Sequence, residues 1–377
     1  FNSGIIDLGK LKNITRLNWS AETPAKTSIE IRTRSGNSLD LEITYYDKNG
    51  KEVTEKKYGK LIPSFRGKID TAFSPGSDWS SWSRIYSSGE ADFLSPAPRR
   101  FTEINVRLTS ESPMQSAALD LISLEFSEPI GTNVKGEVTP NQVQAGIEQD
   151  FTYLLRAESV SRNFSRVILE SPSLLRFNKA TINDEFVDVV SKVEQIDPPH
   201  DYAGGQRLIL DFPNPIKNNK LIKIQFSSEV FRQATRFVAF IENEASTQKV
   251  EAGNADKNTD GDSDIVRLPV DAKTIDNMTF NTHHVTPNND LINDELRIDI
   301  DIVNVLSPRI LALKITDLSG KTVYSYSDEI TAGKARLSWN GCDMFQNKVS
   351  PGIYIAKISI DSDYPVQPIF KTISVFY

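Results

Sequence analysis

Thr286-Pro-Asn-Asn-Asp290-Leu-Ile-Asn-Asp294 opens a stretch that continues as Leu296-Arg-Ile-Asp-Ile300, Ile315-Thr-Asp-Leu-Ser-Gly-Lys321, Trp339-Asn-Gly-Cys-Asp343 and Val349-Ser-Pro-Gly-Ile-Tyr354. Leu296, Ile298 and Ile300 alternate with Arg297 and Asp299, the period of a strand with one face buried. Ile310 to Ile315 repeats that alternation. Asp317-Leu-Ser-Gly320 is a turn, since Asp bonds its own backbone and Gly accepts positive φ, and Lys321 to Tyr326 makes the returning strand of a hairpin. After a second turn at Ser350-Pro-Gly352, Tyr354, Ala356, Ile358 and Ile360 share one face of a strand, and Ile353, Ile355, Lys357 and Ser359 share the other. Short strands between turn residues predict a small antiparallel sandwich.

The ordered signatures T-P-N-x-D-x-x-N-D, D-x-x-G-K, W-N-G-x-D and V-x-P-G-x-Y, read from Thr286 to Tyr354, resemble the C-terminal FlgD-type immunoglobulin-like domain of bacterial secreted and surface proteins. That family is similar in turn to gliding-type and type IX secretion sorting domains. The resemblance covers residues 284 to 377 and implies export and display at the bacterial cell surface. This chain departs from the family pattern at Asn289 and Leu291, which replace a Gly-bearing turn, and at Asn340, which replaces an Asp. If Asp290, Asn293 and Asp294 bind a cation in some relatives, these departures weigh against that role here, and the competing reading is a polar turn that caps the first strand.

Working outward, two further blocks are also β-rich. Residues 1–128 hold Ile5-Ile-Asp-Leu8, Ser28-Ile-Glu-Ile-Arg32, Leu41 to Tyr46, Thr102 to Leu108 and Leu119 to Phe126, bounded by Ser35-Gly-Asn37, Lys48-Asn-Gly50 and Ser74-Pro-Gly76. A jelly-roll-like sandwich fits these lengths. The same block resembles an N-terminal β-sandwich module found beside FlgD-type domains in large bacterial surface proteins, through T-x-I-x-I-x-x-R at Thr27 to Arg34 and W-S-x-W-S at Trp79 to Ser83. Residues 129–270 carry Phe151-Thr-Tyr-Leu-Leu155, Arg166 to Leu169, Arg207 to Phe212, Leu221 to Phe226 and Arg236 to Glu242, without a helical period over ten residues. An immunoglobulin-like or cohesin-like sandwich is expected there, and the FlgD-type domain at 271–377. The expected fold is therefore all-β, with three tandem β-sandwich domains.

Composition is in keeping with an extracellular protein. The 377 residues suit two to three domains, and a net charge of -7 argues against nucleic acid as a partner. One cysteine, Cys342, excludes an intrachain disulfide. No apolar run approaches the ~18 residues of a membrane-spanning helix. Beginning at Phe1 without a leader-like segment, the chain is expected to be a processed product or a piece of a longer one.

Asp256-Lys-Asn258-Thr-Asp260-Gly-Asp262-Ser-Asp264 places oxygen side chains at every second position with Gly at the sixth. This is the first half of a calcium loop, made of hard ligands around a tight bend. Arg267 stands where a bidentate Glu would close the shell, so calcium at Asp256, Asn258, Asp260, Asp262 and Asp264 needs a further ligand, from Asn254 or a neighbouring domain; the competing reading is a solvated acidic loop. Trp79, Trp82 and Tyr86 form the second candidate, aromatic faces that stack on polysaccharide or anchor a protein. The competing reading is strand framework, with one tryptophan in the core and one at an edge; Trp19 and Trp339 are expected in the core. His200, His283 and His284 are the only histidines. The last two are expected in a water-exposed linker, and nothing singles out a catalytic pair among the 50 acidic residues. Sequons occur at Asn13, Asn18, Asn163 and Asn277, about as many as chance supplies.

The sequence thus points to a non-catalytic structural or adhesive surface protein whose partners are other surface proteins or itself. The alternative is a carbohydrate-binding accessory region of a larger secreted enzyme.

Overall fold

Alternation of apolar and polar residues governs nearly every element, and the computed structural model is all-β accordingly. It describes residues 1–196, 205–217, 219–259, 261–362 and 366–377. These fold into two compact units, one formed by 1–133 with 158–164 and 241–251, the other by 134–157, 165–240 and 252–377.

In the first unit a single long strand, Ile6–Glu22, serves two sheets. Its start pairs with Arg99–Ser110, which pairs in turn with Thr27–Gly36. Its second half pairs with Ala118–Ser127 and Glu90–Asp92. The switch occurs at a bulge between Asp7 and Lys12, where Gly9 adopts φ +81° and donates its N–H to Asp7. Leu17, Ile31, Tyr86, Ile104 and Val106 fill the space between the sheets. A third sheet of Glu52–Val53, Leu39–Asp47 and Arg66–Pro75 carries the helix Glu55–Lys60 in one connection. Sequence periodicity misses this helix because it is only six residues long, and capping by the Thr54 hydroxyl marks its start.

Two further sandwiches follow along the chain, with most of their residues in the second unit. In the earlier one, Glu185–Val187, Arg176–Ile182, Lys220–Ser228, Gln149–Val160 and Gly131–Thr139 run side by side in one sheet. The facing sheet contains Val190–Ile196, Gly205–Ile216, Phe164–Ser171 and Val238–Asn243. Phe151, Phe226 and Phe237 meet in its core with ring centroids 5.3 to 5.6 Å apart.

The later sandwich sets Ile275–Phe280, Leu296–Ile302 and Gly333–Trp339 against a five-stranded sheet ordered His284–Val285, Ile369–Val375, Gly352–Ile360, Arg309–Asp317 and Thr322–Ile330. Leu296, Ile298 and Ile300 are buried as their alternation requires, and so are Tyr354, Ala356, Ile358 and Ile360. Trp339 is a fully buried anchor, its indole N–H donated to the Cys342 carbonyl at 2.8 Å. Trp19 differs from expectation: it is half-buried, edge-on to Tyr86 at 6.0 Å. His284 also departs from the expected linker, because it belongs to a short strand paired in parallel with Ser374 and Val375. Strand Ile275–Phe280 carries no clear apolar period, since Asp276, Asn277 and Thr279 dilute its apolar positions.

Candidate functional site

Strand Gly131–Thr139 breaks alternation at its end, where Gly136, Glu137 and Val138 are all buried. The acidic loop leaves and rejoins this strand on either side of Glu137. Gly253 donates its N–H to the Gly136 carbonyl at 3.0 Å, and Val138 donates to Ser263 at 2.9 Å. Glu137 is thereby enclosed at 0% exposure. Its Oε1 accepts from Ala255 N and Asp256 N, both at 3.1 Å, and from the Thr259 hydroxyl at 2.8 Å. Its Oε2, equally buried, has no hydrogen-bond partner among the described residues. A Cβ on Gly261 would lie 2.5 Å from that oxygen.

The predicted ligands divide around this carboxylate. Asp256 is buried, and its Oδ1 accepts both the backbone and the amide N–H of Asn258 at 3.2 and 3.0 Å. Asp264 is buried too, but Arg236 holds it, with Nε 3.1 Å from its carboxylate. Asp262 and Asn258 are exposed, and Asp260 lies outside the described residues. Among the described residues no three His, Cys, Asp or Glu side chains converge at metal-ligand spacing. Asn254, the further ligand that the loop spacing suggests, instead donates its amide to the Thr259 and Gly261 carbonyls at 3.4 and 3.2 Å. Glu137 had no signal in the sequence, because Glu is among the types least often buried and it stands 119 positions before Asp256.

The aromatic candidate is built differently. Residues 80, 83 and 86 donate their N–H groups to the carbonyls of Ser35, Thr33 and Ile31 at 2.8 to 3.0 Å, so the segment follows strand Thr27–Gly36. Trp79 lies over Gly36, where a Cβ would come within 2.2 Å of the ring, and its indole N–H bonds the Ser38 carbonyl at 2.7 Å. The Arg34 guanidinium sits 4.6 Å from the Trp82 centroid and 5.5 Å from that of Trp79, a cation–π arrangement over both rings. Both tryptophans are half-buried. Tyr86 is buried, its hydroxyl 2.9 Å from that of Thr33 and accepting from Leu94 N at 3.0 Å; burial raises its pKa.

In the later sandwich, Asp294 accepts from the N–H groups of Asn288, Asn289 and Leu291 at 2.7 to 2.9 Å. Desolvation pushes its carboxyl up, but the backbone donors outweigh it and hold the group below the usual carboxylate range. Asp290 is likewise turned onto the loop, accepting from Ile292 N at 2.7 Å. Near this region, His284 Nδ1 meets the Ser374 hydroxyl at 2.6 Å, a contact with the distance of a nucleophile and base. Among the described residues no carboxylate bonds that imidazole. A separate groove of about 650 Å³ is lined by Asn277, Asp299, Asp301, Lys334 and Arg336. Arg336 is paired with Asp299 at 2.6 Å and Lys334 with Glu229 at 2.5 Å, and Asp301 accepts from the Asn277 amide at 2.8 Å.

One further surface is apolar. Cross-strand pairing sets Leu41 opposite Phe73 and Tyr45 opposite Ile69, with Ile43 between them on the same face. Leu41, Ile43, Ile69 and Phe73 are 45 to 64% exposed.

No protein-family model matches the chain, and neither does any curated protein. Among solved structures, a cohesin module of a Clostridium perfringens family 33 glycoside hydrolase aligns at 16% identity over 36% of this chain and 95% of that one, with a TM-score of 0.23. Latent PorU from Porphyromonas gingivalis aligns at 9% identity over 93% of this chain and 30% of that one, with a TM-score of 0.24. The major pilin subunit BcpA of Bacillus cereus aligns at 9% identity over 91% of this chain and 96% of that one, also at 0.24. TM-scores this low do not establish a shared whole-chain fold. No helix of the described residues is long and apolar enough to cross a membrane.

Proposed function

We propose that this chain is a non-catalytic part of an extracellular bacterial surface protein, with a structural or adhesive role, whose partner is another surface protein or a second copy of itself. The observation that carries the reading is the apolar face of Leu41, Ile43, Ile69 and Phe73. A water-facing patch of large apolar side chains on a regular sheet is characteristic of an interaction surface. The resemblance of residues 284 to 377 to FlgD-type domains supports the cell-surface setting and adds no chemistry. The tryptophans favour the carbohydrate alternative less, because Arg34 lies over both rings.

Light scattering on the full chain over a wide concentration range tests this. Association that grows with concentration and is lost in Phe73→Asp and Leu41→Asp is the expected outcome. A chain that stays monomeric and is retarded in polysaccharide gels would replace the reading with the accessory-region alternative.

A further inference from the structure

We propose that one end of the sheet of Glu52–Val53, Leu39–Asp47 and Arg66–Pro75 docks on an anionic phospholipid bilayer, a contact separate from the protein partner of the apolar face. Residues 48–68 carry six lysines and one arginine against only Glu52 and Glu55, a net charge of +5 in a chain whose total is -7. All seven basic side chains are exposed. Of these seven, only Lys68 forms an ion pair among the described residues, with Asp70 at 2.5 Å. The others are free to meet an external anion.

Hydrogen bonds gather the segment at one place. Lys48 donates its N–H to the Phe65 carbonyl at 2.9 Å, joining the turn after Leu39–Asp47 to the short helical turn Pro63–Phe65. The Tyr58 hydroxyl donates to the Gly67 carbonyl at 2.8 Å, and Arg66 donates to the carbonyls of Leu61 and Gly59 at 2.8 and 3.1 Å. The helix Glu55–Lys60 and the residues after it are thereby tied to the start of Arg66–Pro75. Charge alone would suit any polyanion, and the apolar residues decide for a bilayer. Ile62 and Phe65 stand inside this basic segment at 60 and 43% exposure, and Nζ of Lys48 lies 3.8 Å from the Phe65 centroid. In an interfacial segment such groups enter the acyl boundary while long basic side chains reach the phosphates. A soluble polyanion would pair with the lysines and leave Ile62 and Phe65 in water. Each basic residue close to an anionic leaflet raises partitioning about fivefold.

The test is co-sedimentation of the full chain with vesicles of phosphatidylglycerol and phosphatidylcholine in equal parts, and with vesicles of phosphatidylcholine alone. Binding to the first, little to the second, and release by added salt are expected. Lys56→Gln, Lys57→Gln and Lys60→Gln together should lower partitioning about a hundredfold. Ile62→Ser with Phe65→Ser should lower it about tenfold or more and leave binding to dextran sulfate unchanged. All five positions are exposed, so both variants should keep the melting temperature, and if one fails to fold the other decides. The proposal is overturned if the chain shows no preference for the anionic vesicles, or if a folded variant of either kind binds them as well as the unsubstituted chain. Undiminished binding by Ile62→Ser with Phe65→Ser would assign the segment to soluble polyanions instead.

Discussion

Leu291 sits at φ +68° with its side chain 94% exposed, and Asn289 and Asn293 on either side of it are also left-handed. Asparagine tolerates this conformation, whereas for leucine the Cβ meets the backbone at a cost of about 1 kcal/mol. Three N–H groups converging on Asp294 impose the shape. Leu291→Gly should therefore stabilise the chain by about 0.5–1 kcal/mol, read as a higher denaturant midpoint with unchanged slope. Gly146 shows the opposite case. It has φ +68°, and a Cβ there would lie 2.2 Å from Oδ2 of Asp301, which also accepts from Asn277. Gly146→Ala combines strain with a clash against a buried carboxylate and should cost about 2–3 kcal/mol by chemical denaturation.

At the scale of elements, one turn chemistry recurs where the sequence contains D-x-x-G-K. Asp47 accepts from Asn49 N and Lys51 N, and Asp317 from Ser319 N and Lys321 N, with Gly50 and Gly320 left-handed. Such turns are legible because Asp and Gly act on their own backbone, independent of the rest of the fold. Asp317→Ala should loosen its hairpin and lower the melting temperature, and amide exchange should quicken first at Thr322 to Tyr324. Strands of the later sandwich were legible for a similar local reason, namely clean alternation against one core. Strand Ile275–Phe280 was hidden by its polar residues, and the pairing of His284 with Ser374 joins positions 90 apart. For the candidate site, the loop carboxylates could be read from spacing, but neither the Arg236 partner of Asp264 nor Glu137 could.

Acid stability belongs to the whole molecule. Hydrogen bonding to Arg100 holds the Asp7 carboxyl down at about 2, the Ser319 hydroxyl lowers Asp317, and the Asn347 N–H lowers Asp343. A carboxyl whose folded value is depressed contributes stability above its unfolded pKa and loses it as pH falls through the folded value. Melting temperature should thus be insensitive to these groups above roughly pH 5 and decline from roughly pH 4 toward 2. The Asp7 and Arg100 share should shrink with added salt, since both are about half exposed. A melting temperature that is flat down to pH 2 would contradict the assignment.

The all-β class, the turns and the buried face of the last sandwich were determined by the sequence alone, because they depend on side-chain period and on backbone preferences spanning a few residues. Only the tertiary structure placed Glu137 beneath the acidic loop, Arg34 over Trp79 and Trp82, and an apolar face on strands Leu39–Asp47 and Arg66–Pro75. These features join residues 24 to 122 positions apart or depend on which sheet face lacks a covering layer. Long-range packing sets such relations, and local spacing carries no record of it.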